Sequence, residues 1–79
     1  LGGALSDVDS VLIASSKKYP GHGWRKRTIA NHLGHLESHV AKLKAGQVID
    51  EESGRLTTSH IVARALMIGQ HQLNSRRSR

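Results

Sequence analysis

One short segment of this chain holds half of its acid. Of the six acidic residues, three fall in succession at Asp50, Glu51 and Glu52, and Ser53-Gly54 closes the turn. The remainder of the chain is strongly basic. Carboxylate oxygens are hard ligands that suit magnesium or manganese. Asp50 and Glu52, two residues apart, can both reach one ion, which makes them the metal candidates. The alternative is a solvated loop whose Asp and Ser cap the next helix.

Histidine forms the second group. His32, His35 and His39 are spaced three and four apart, which stacks them along one edge of a helix. Such a row could hold zinc, but no fourth ligand is fixed by local spacing. A single catalytic or ligand-binding His is the simpler alternative. His60 follows the acidic turn and would begin the next helix close to it.

Trp24-Arg25-Lys26-Arg27 combines a flat apolar ring with three cations. A nucleotide base can stack on such a ring while cations meet its phosphates. Equally, Trp24 can plug the core of a ring-poor protein. Pro20-Gly21-His22-Gly23, just ahead, offers backbone N–H groups to a phosphate, yet it is neither a P-loop nor a dinucleotide fingerprint. Covalent catalysis has no marked nucleophile: there is no cysteine, and no serine sits in a nucleophile elbow.

Three helices must position these residues. Leu5 to about Lys17 reads as the first, with Ser6 as N-cap, Asp7 and Asp9 in the first turn, and Leu5, Val8, Val11 and Leu12 as its apolar stripe. Pro20 and the glycines around it force a loop. Thr28 to Lys44 is the second and strongest helix. Its seam of Ile29, Leu33, Leu36, Val40 and Leu43 suits packing against another helix, and Gly46 stands where a C-terminal glycine cap belongs. The acidic turn occupies 47–56. Thr57, Thr58 and Ser59 are three possible N-caps for a last helix over about His60 to Leu73, whose face is Val62, Ala65, Leu66, Gly69 and Leu73. Residues 74–79 read as a basic, mobile tail. No strand is convincing, so the expectation is an all-α bundle forming one domain over 1–79.

Composition narrows the class. The net charge is +6, and eight of twelve Lys and Arg residues flank the Gly-rich loop or lie in the tail, so the partner is anionic: a nucleotide, a nucleic acid or an acidic surface. Tyr19 and Trp24 are the only aromatic rings of the Phe, Tyr and Trp class. At 79 residues a single core of Leu, Ile, Val and Ala is marginal, which predicts a homo-oligomer. No apolar run approaches the ~20 residues of a membrane span. The absence of cysteine permits a cytosolic location, and a start without Met suggests a fragment or a trimmed chain.

In this order, the pieces resemble a known family: the dATP/dGTP diphosphohydrolase N-terminal domains, a phage and bacterial branch of the MazG-like all-α nucleotide pyrophosphohydrolases. The resemblance rests on Lys17-Lys18-Tyr19, Gly23-Trp24-Arg25-Lys26, His39, Gly46, Asp50, Glu52-Ser53-Gly54 and His60, and spans roughly residues 4–70. It implies a MazG-like helical bundle completed by oligomerisation. It also implies a purine deoxynucleotide ligand, Mg2+ or Mn2+ on Asp50 and Glu52, and a cytoplasmic setting in a bacterium or phage-infected cell. His39, His60 and Glu52 become the catalytic candidates, and Tyr19, Trp24, Arg25, Lys26, Ser53 and Arg64 the ligand-binding ones. The sequence departs from the family pattern where Gly23 replaces Asn, Gln47 replaces Glu and Arg64 replaces Asn. The paired Glu-x-x-Glu and Glu-x-x-Asp of the wider group are absent, and Glu37 has no acidic partner one turn away.

Three functions remain open. The first is a metal-dependent pyrophosphohydrolase that converts a nucleoside triphosphate to monophosphate and pyrophosphate. The second is a non-catalytic module of the same fold that binds or sequesters a nucleotide. The third is a basic structural or nucleic-acid-binding protein acting through its tail.

Overall fold

A computed structural model of the chain describes residues 1–18 and 23–77. Three α-helices make up the fold: α1 (Gly2–Lys18), α2 (Ile29–Lys44) and α3 (Thr57–Arg77), with a short 3-10 helix over Gly23–Lys26. The all-α class and the three-helix architecture expected from the sequence are what the structure contains. Among the described residues the nearest approach to a strand is one antiparallel bridge between Ile49 and Leu56. No described helix is long and apolar enough to cross a membrane.

Local chemistry sets both ends of α2. Thr28 is extended and its hydroxyl accepts the Asn31 N–H at 3.0 Å, which satisfies one of the free donors of the first turn. At the other end Gly46 takes φ 92°, the Gly46 N–H returns to Leu43 O and the Gln47 N–H to Lys42 O. That pair of bonds is the Schellman closure, and it requires the left-handed backbone that glycine adopts freely.

The other two helices depart from the expected bounds. α1 begins at Gly2, ahead of Ser6, so Ser6 does not cap it; instead the Ser6 carbonyl accepts the Ser10 hydroxyl at 3.1 Å inside the helix. α3 begins at Thr57 and runs to Arg77, three residues earlier and four later than the pattern suggested. None of Thr57, Thr58 or Ser59 caps it. Asp7 of α1 does so from a distance: its Oδ2 accepts the Leu56 N–H at 3.1 Å and the Ser59 hydroxyl at 2.6 Å. The Ser59 hydroxyl, the Leu56 N–H and Arg55, 3.7 Å away, hold the Asp7 carboxyl below its ordinary range against a burial that opposes them.

Burial also selects different faces. The apolar core is Val8 and Val11 of α1 with Ala63 and Met67 of α3, and polar His32, Asp50, Thr57 and Ser59 are buried beside them. The seam of α2 does not enter this core: Ile29 and Leu33 are exposed, and Leu36, Val40 and Leu43 are half-buried. The one buried residue of α2 is His32. On α3 the core face is Ser59, Ala63 and Met67, while Val62, Leu66 and Leu73, expected inside, are exposed. α2 turns its His32 edge inward because that edge meets α3, and α3 turns Ser59, Ala63 and Met67 inward.

Thr57 latches that segment to α3. It is fully buried, its hydroxyl donates to Gln47 O at 2.8 Å and its N–H to Val48 O at 2.8 Å. Thr57→Val keeps the shape and removes the hydroxyl bond. The expected loss is about 1 kcal/mol, a fall in melting temperature of roughly 4–8 °C for a chain of this size. Thermal denaturation followed by circular dichroism checks it; an unchanged melting temperature would show that the latch carries no stability.

Candidate functional site

The segment after α2 folds on itself before α3 begins. Asp50 is buried; its N–H donates to Arg55 O and its carbonyl accepts the Gly54 N–H, both at 2.8 Å. Its Oδ2 accepts the Ser53 N–H at 2.9 Å. The Ser53 hydroxyl in turn accepts the Arg55 N–H at 3.1 Å, and Gly54 adopts φ 71°. Asp50 thus caps its own turn and does not cap α3. Glu51 and Glu52 stand exposed on the turn.

This turn brings the acid to the histidines. His60, on the first turn of α3, places Nε2 2.7 Å from Ser53 Oγ and 3.6 Å from Asp50 Oδ2. Ser53 and Asp50 address the same ring nitrogen, so the three do not form a nucleophilic triad, which needs Ser and Asp on opposite nitrogens. His39 of α2 stacks on His60 with centroids 4.8 Å apart and planes 19° from parallel. The His39 Nδ1 is buried and, among the described residues, has no hydrogen-bond partner.

Charge in the cluster is uneven. Burial first, then His60 and Lys42, push the His39 imidazole below its usual range against the pull of Asp50, so it is neutral at pH 7. Burial works to raise the Asp50 carboxyl, but the Ser53 N–H and hydroxyl, with His60 and His39, outweigh it and hold it below the ordinary carboxylate range. One turn back on α2, burial and the charges of Arg64, Arg27 and His32 lower His35.

These groups line one open cavity of about 520 Å³, bordered by α1, α2, the acidic turn and α3. Its size is in the range of small-ligand sites. His39, Asp50, Glu52, Ser53, His60 and Arg64, all singled out from the sequence, share this cavity. Arg25 and Lys26 sit exposed on the 3-10 helix and do not line it. Tyr19 lies outside the described residues, as does the side chain of Trp24. Among the described residues no group of three or more His, Asp or Glu side chains forms a metal cage.

Sequence reasoning passed over Lys42, Arg55 and Ser38, which line the cavity too, as does His35 of the histidine row. For Lys42 a signal existed: the row His32, His35, His39 continues to Lys42 at the same helical spacing. For Arg55 none did, because its place depends on how the acidic turn closes. The result is a lining of cations, imidazoles and two carboxylates, in which the buried His39 Nδ1 has no partner among the described residues. Such a site can take up a polyanion and supply neutral imidazole as a proton acceptor or hydrogen-bonding group.

The family model described as dATP/dGTP diphosphohydrolase, N-terminal, matches residues 1–78, all of the chain except its last residue. No curated protein matches the chain, and no solved structure does.

Proposed function

The chain belongs to the dATP/dGTP diphosphohydrolase N-terminal family, and on that premise we propose that its cavity binds a purine deoxynucleoside triphosphate and hydrolyses it to monophosphate and pyrophosphate. The observation that carries this is the lining: Lys42, Arg55 and Arg64 face the space together with His39, whose buried Nδ1 has no partner among the described residues. Phosphate oxygens are acceptors and need such donors.

A magnesium ion fits as a companion of the nucleotide. Asp50 and Glu52 offer two hard oxygen donors on the cavity wall, and magnesium commonly uses one or two carboxylates plus substrate phosphates. Bound there, it would supply charge neutralisation at the phosphates. The chain's own residues do the rest. Lys42 and Arg64 bind the phosphates, His60 is oriented by Ser53 and Asp50, and neutral His39 accepts a proton or a hydrogen bond at Nδ1.

The test is release of pyrophosphate from dATP, dGTP and other nucleoside triphosphates with magnesium or manganese. Stoichiometric pyrophosphate and monophosphate support the enzyme. Tight nucleotide binding without release favours the non-catalytic module, which the small number of carboxylates in the cavity also suits. Binding only to nucleic acid, with steep salt dependence, would replace both.

The same proposal includes self-association. Ile29 and Leu33 of α2 and Val62, Leu66 and Leu73 of α3 form apolar stripes turned away from the cavity, and Leu66 is 53 % exposed. Burying each such side chain in a second copy contributes about 1.5–3 kcal/mol. Leu66→Glu is therefore expected to weaken the assembly at least about tenfold in sedimentation while leaving helix content intact. A wild type that sediments as a monomer at micromolar concentration would remove this part of the proposal.

A further inference from the structure

The fully buried His32 lies behind the cavity wall, and the proposed chemistry does not use it. Its Nδ1 is 2.9 Å from Arg64 Nη1. A guanidinium has donors only, so Nδ1 must be the acceptor in this bond, and the imidazole carries any proton on Nε2. His71 of α3 packs near it, the ring centroids 5.6 Å apart and the planes tilted 44°. Arg64 runs from this anchor to the cavity, which it lines. Its charge reaches both His35 and His39, helping to lower their pKa values.

We propose that His32 is the positioning residue that aims Arg64 at the phosphates of the bound nucleotide, and that its neutrality is the reason a histidine stands there. Arg64 has a long side chain with many rotamers, and a rigid buried acceptor removes most of them before the ligand arrives. Asp or Glu would orient the guanidinium equally well, but a carboxylate would also cancel its charge. A neutral imidazole acceptor fixes direction without itself cancelling that charge. This assignment rests on the phosphate-binding reading of the cavity above.

Three substitutions separate direction from charge. Inorganic pyrophosphate, titrated calorimetrically without metal at pH 8, is the probe. His32→Leu removes the acceptor and is expected to weaken binding about tenfold, the scale of one hydrogen bond to a charged group. His32→Asn puts a neutral amide oxygen near the Nδ1 position and should restore affinity to within about threefold of wild type. His32→Asp keeps an acceptor yet should bind as poorly as His32→Leu, because it neutralises Arg64. In an Arg64→Ala background, His32→Leu should cost nothing further.

If His32→Asn binds as weakly as His32→Leu, or if the His32→Leu loss persists in the Arg64→Ala background, the positioning role is overturned and the phosphate site stands. If wild type binds neither pyrophosphate nor dATP, the phosphate site falls and the role of His32 falls with it. Should His32→Leu fail to fold, 15N shifts of the wild-type imidazoles decide. An unprotonated His32 Nδ1 at pH 8 is expected, and a protonated one would overturn the assignment, since Arg64 cannot accept its proton.

Discussion

Replacing His39 by Phe should reduce turnover of dATP or dGTP by at least about 10²-fold, the lower bound for losing a positioned acid–base group, without lowering the melting temperature. The two effects part because of one atom. His39 Nδ1 is buried and unpartnered among the described residues. A buried polar atom without a partner costs about 1–3 kcal/mol, so removing it is neutral or stabilising for the free protein. The ring that stacks on His60 at 4.8 Å is retained in Phe. Activity retained at wild-type level, or a large fall in melting temperature, would assign His39 to the core and not to the chemistry.

Proton linkage gives the same residue a second readout. Burial, His60 and Lys42 hold its pKa below the usual value, so the free protein carries it neutral at pH 7. A phosphate beside Nδ1 favours the protonated form and raises that pKa. The bound state then holds more protons than the free state, and affinity must rise as pH falls towards about 6. Calorimetry in two buffers of different ionisation enthalpy should detect proton uptake in the wild type and none at this site in His39→Phe.

The second large effect is on stability. Asp50→Ala removes the carboxylate that accepts the Ser53 N–H and lies 3.6 Å from His60. A hydrogen bond to a charged group contributes about 1.5–3 kcal/mol, which is roughly 6–24 °C in melting temperature for so short a chain. The sign with pH follows from the direction of its shift. The Asp50 carboxyl is held below the ordinary range in the folded protein. Its contribution is therefore complete above the unfolded pKa of about 3.9 and is lost as pH falls through the lower folded value. The gap between wild type and Asp50→Asn, which keeps the shape and cancels the charge, should not shrink between pH 8 and about 5 and should close below about pH 4. Urea denaturation across that range checks it; a gap that widens in acid would show that the buried carboxylate is a net cost.

Features written in neighbouring residues were legible from the chain alone. Thr28 and Gly46 mark the ends of α2 because a cap acts within three or four residues. The three-helix count, the acidic turn and the family resemblance are of the same kind. So is the grouping of His39, Asp50, Glu52, Ser53 and His60, since a short turn joins the two helices that carry them.

What required the tertiary structure was which side of each helix faces inward. Periodicity says that Ile29, Leu33, Leu36, Val40 and Leu43 share a stripe; it does not say that the stripe is buried. The inward edge is set by partners distant in sequence. His32 turns in to meet Arg64, thirty-two residues on, and the apolar seam of α2 is left half in solvent. Asp7, which reads as a first-turn acid of its own helix, caps α3 across forty-nine residues. Local spacing cannot encode such pairs, because a buried donor or acceptor is satisfied by whichever group the fold delivers to it.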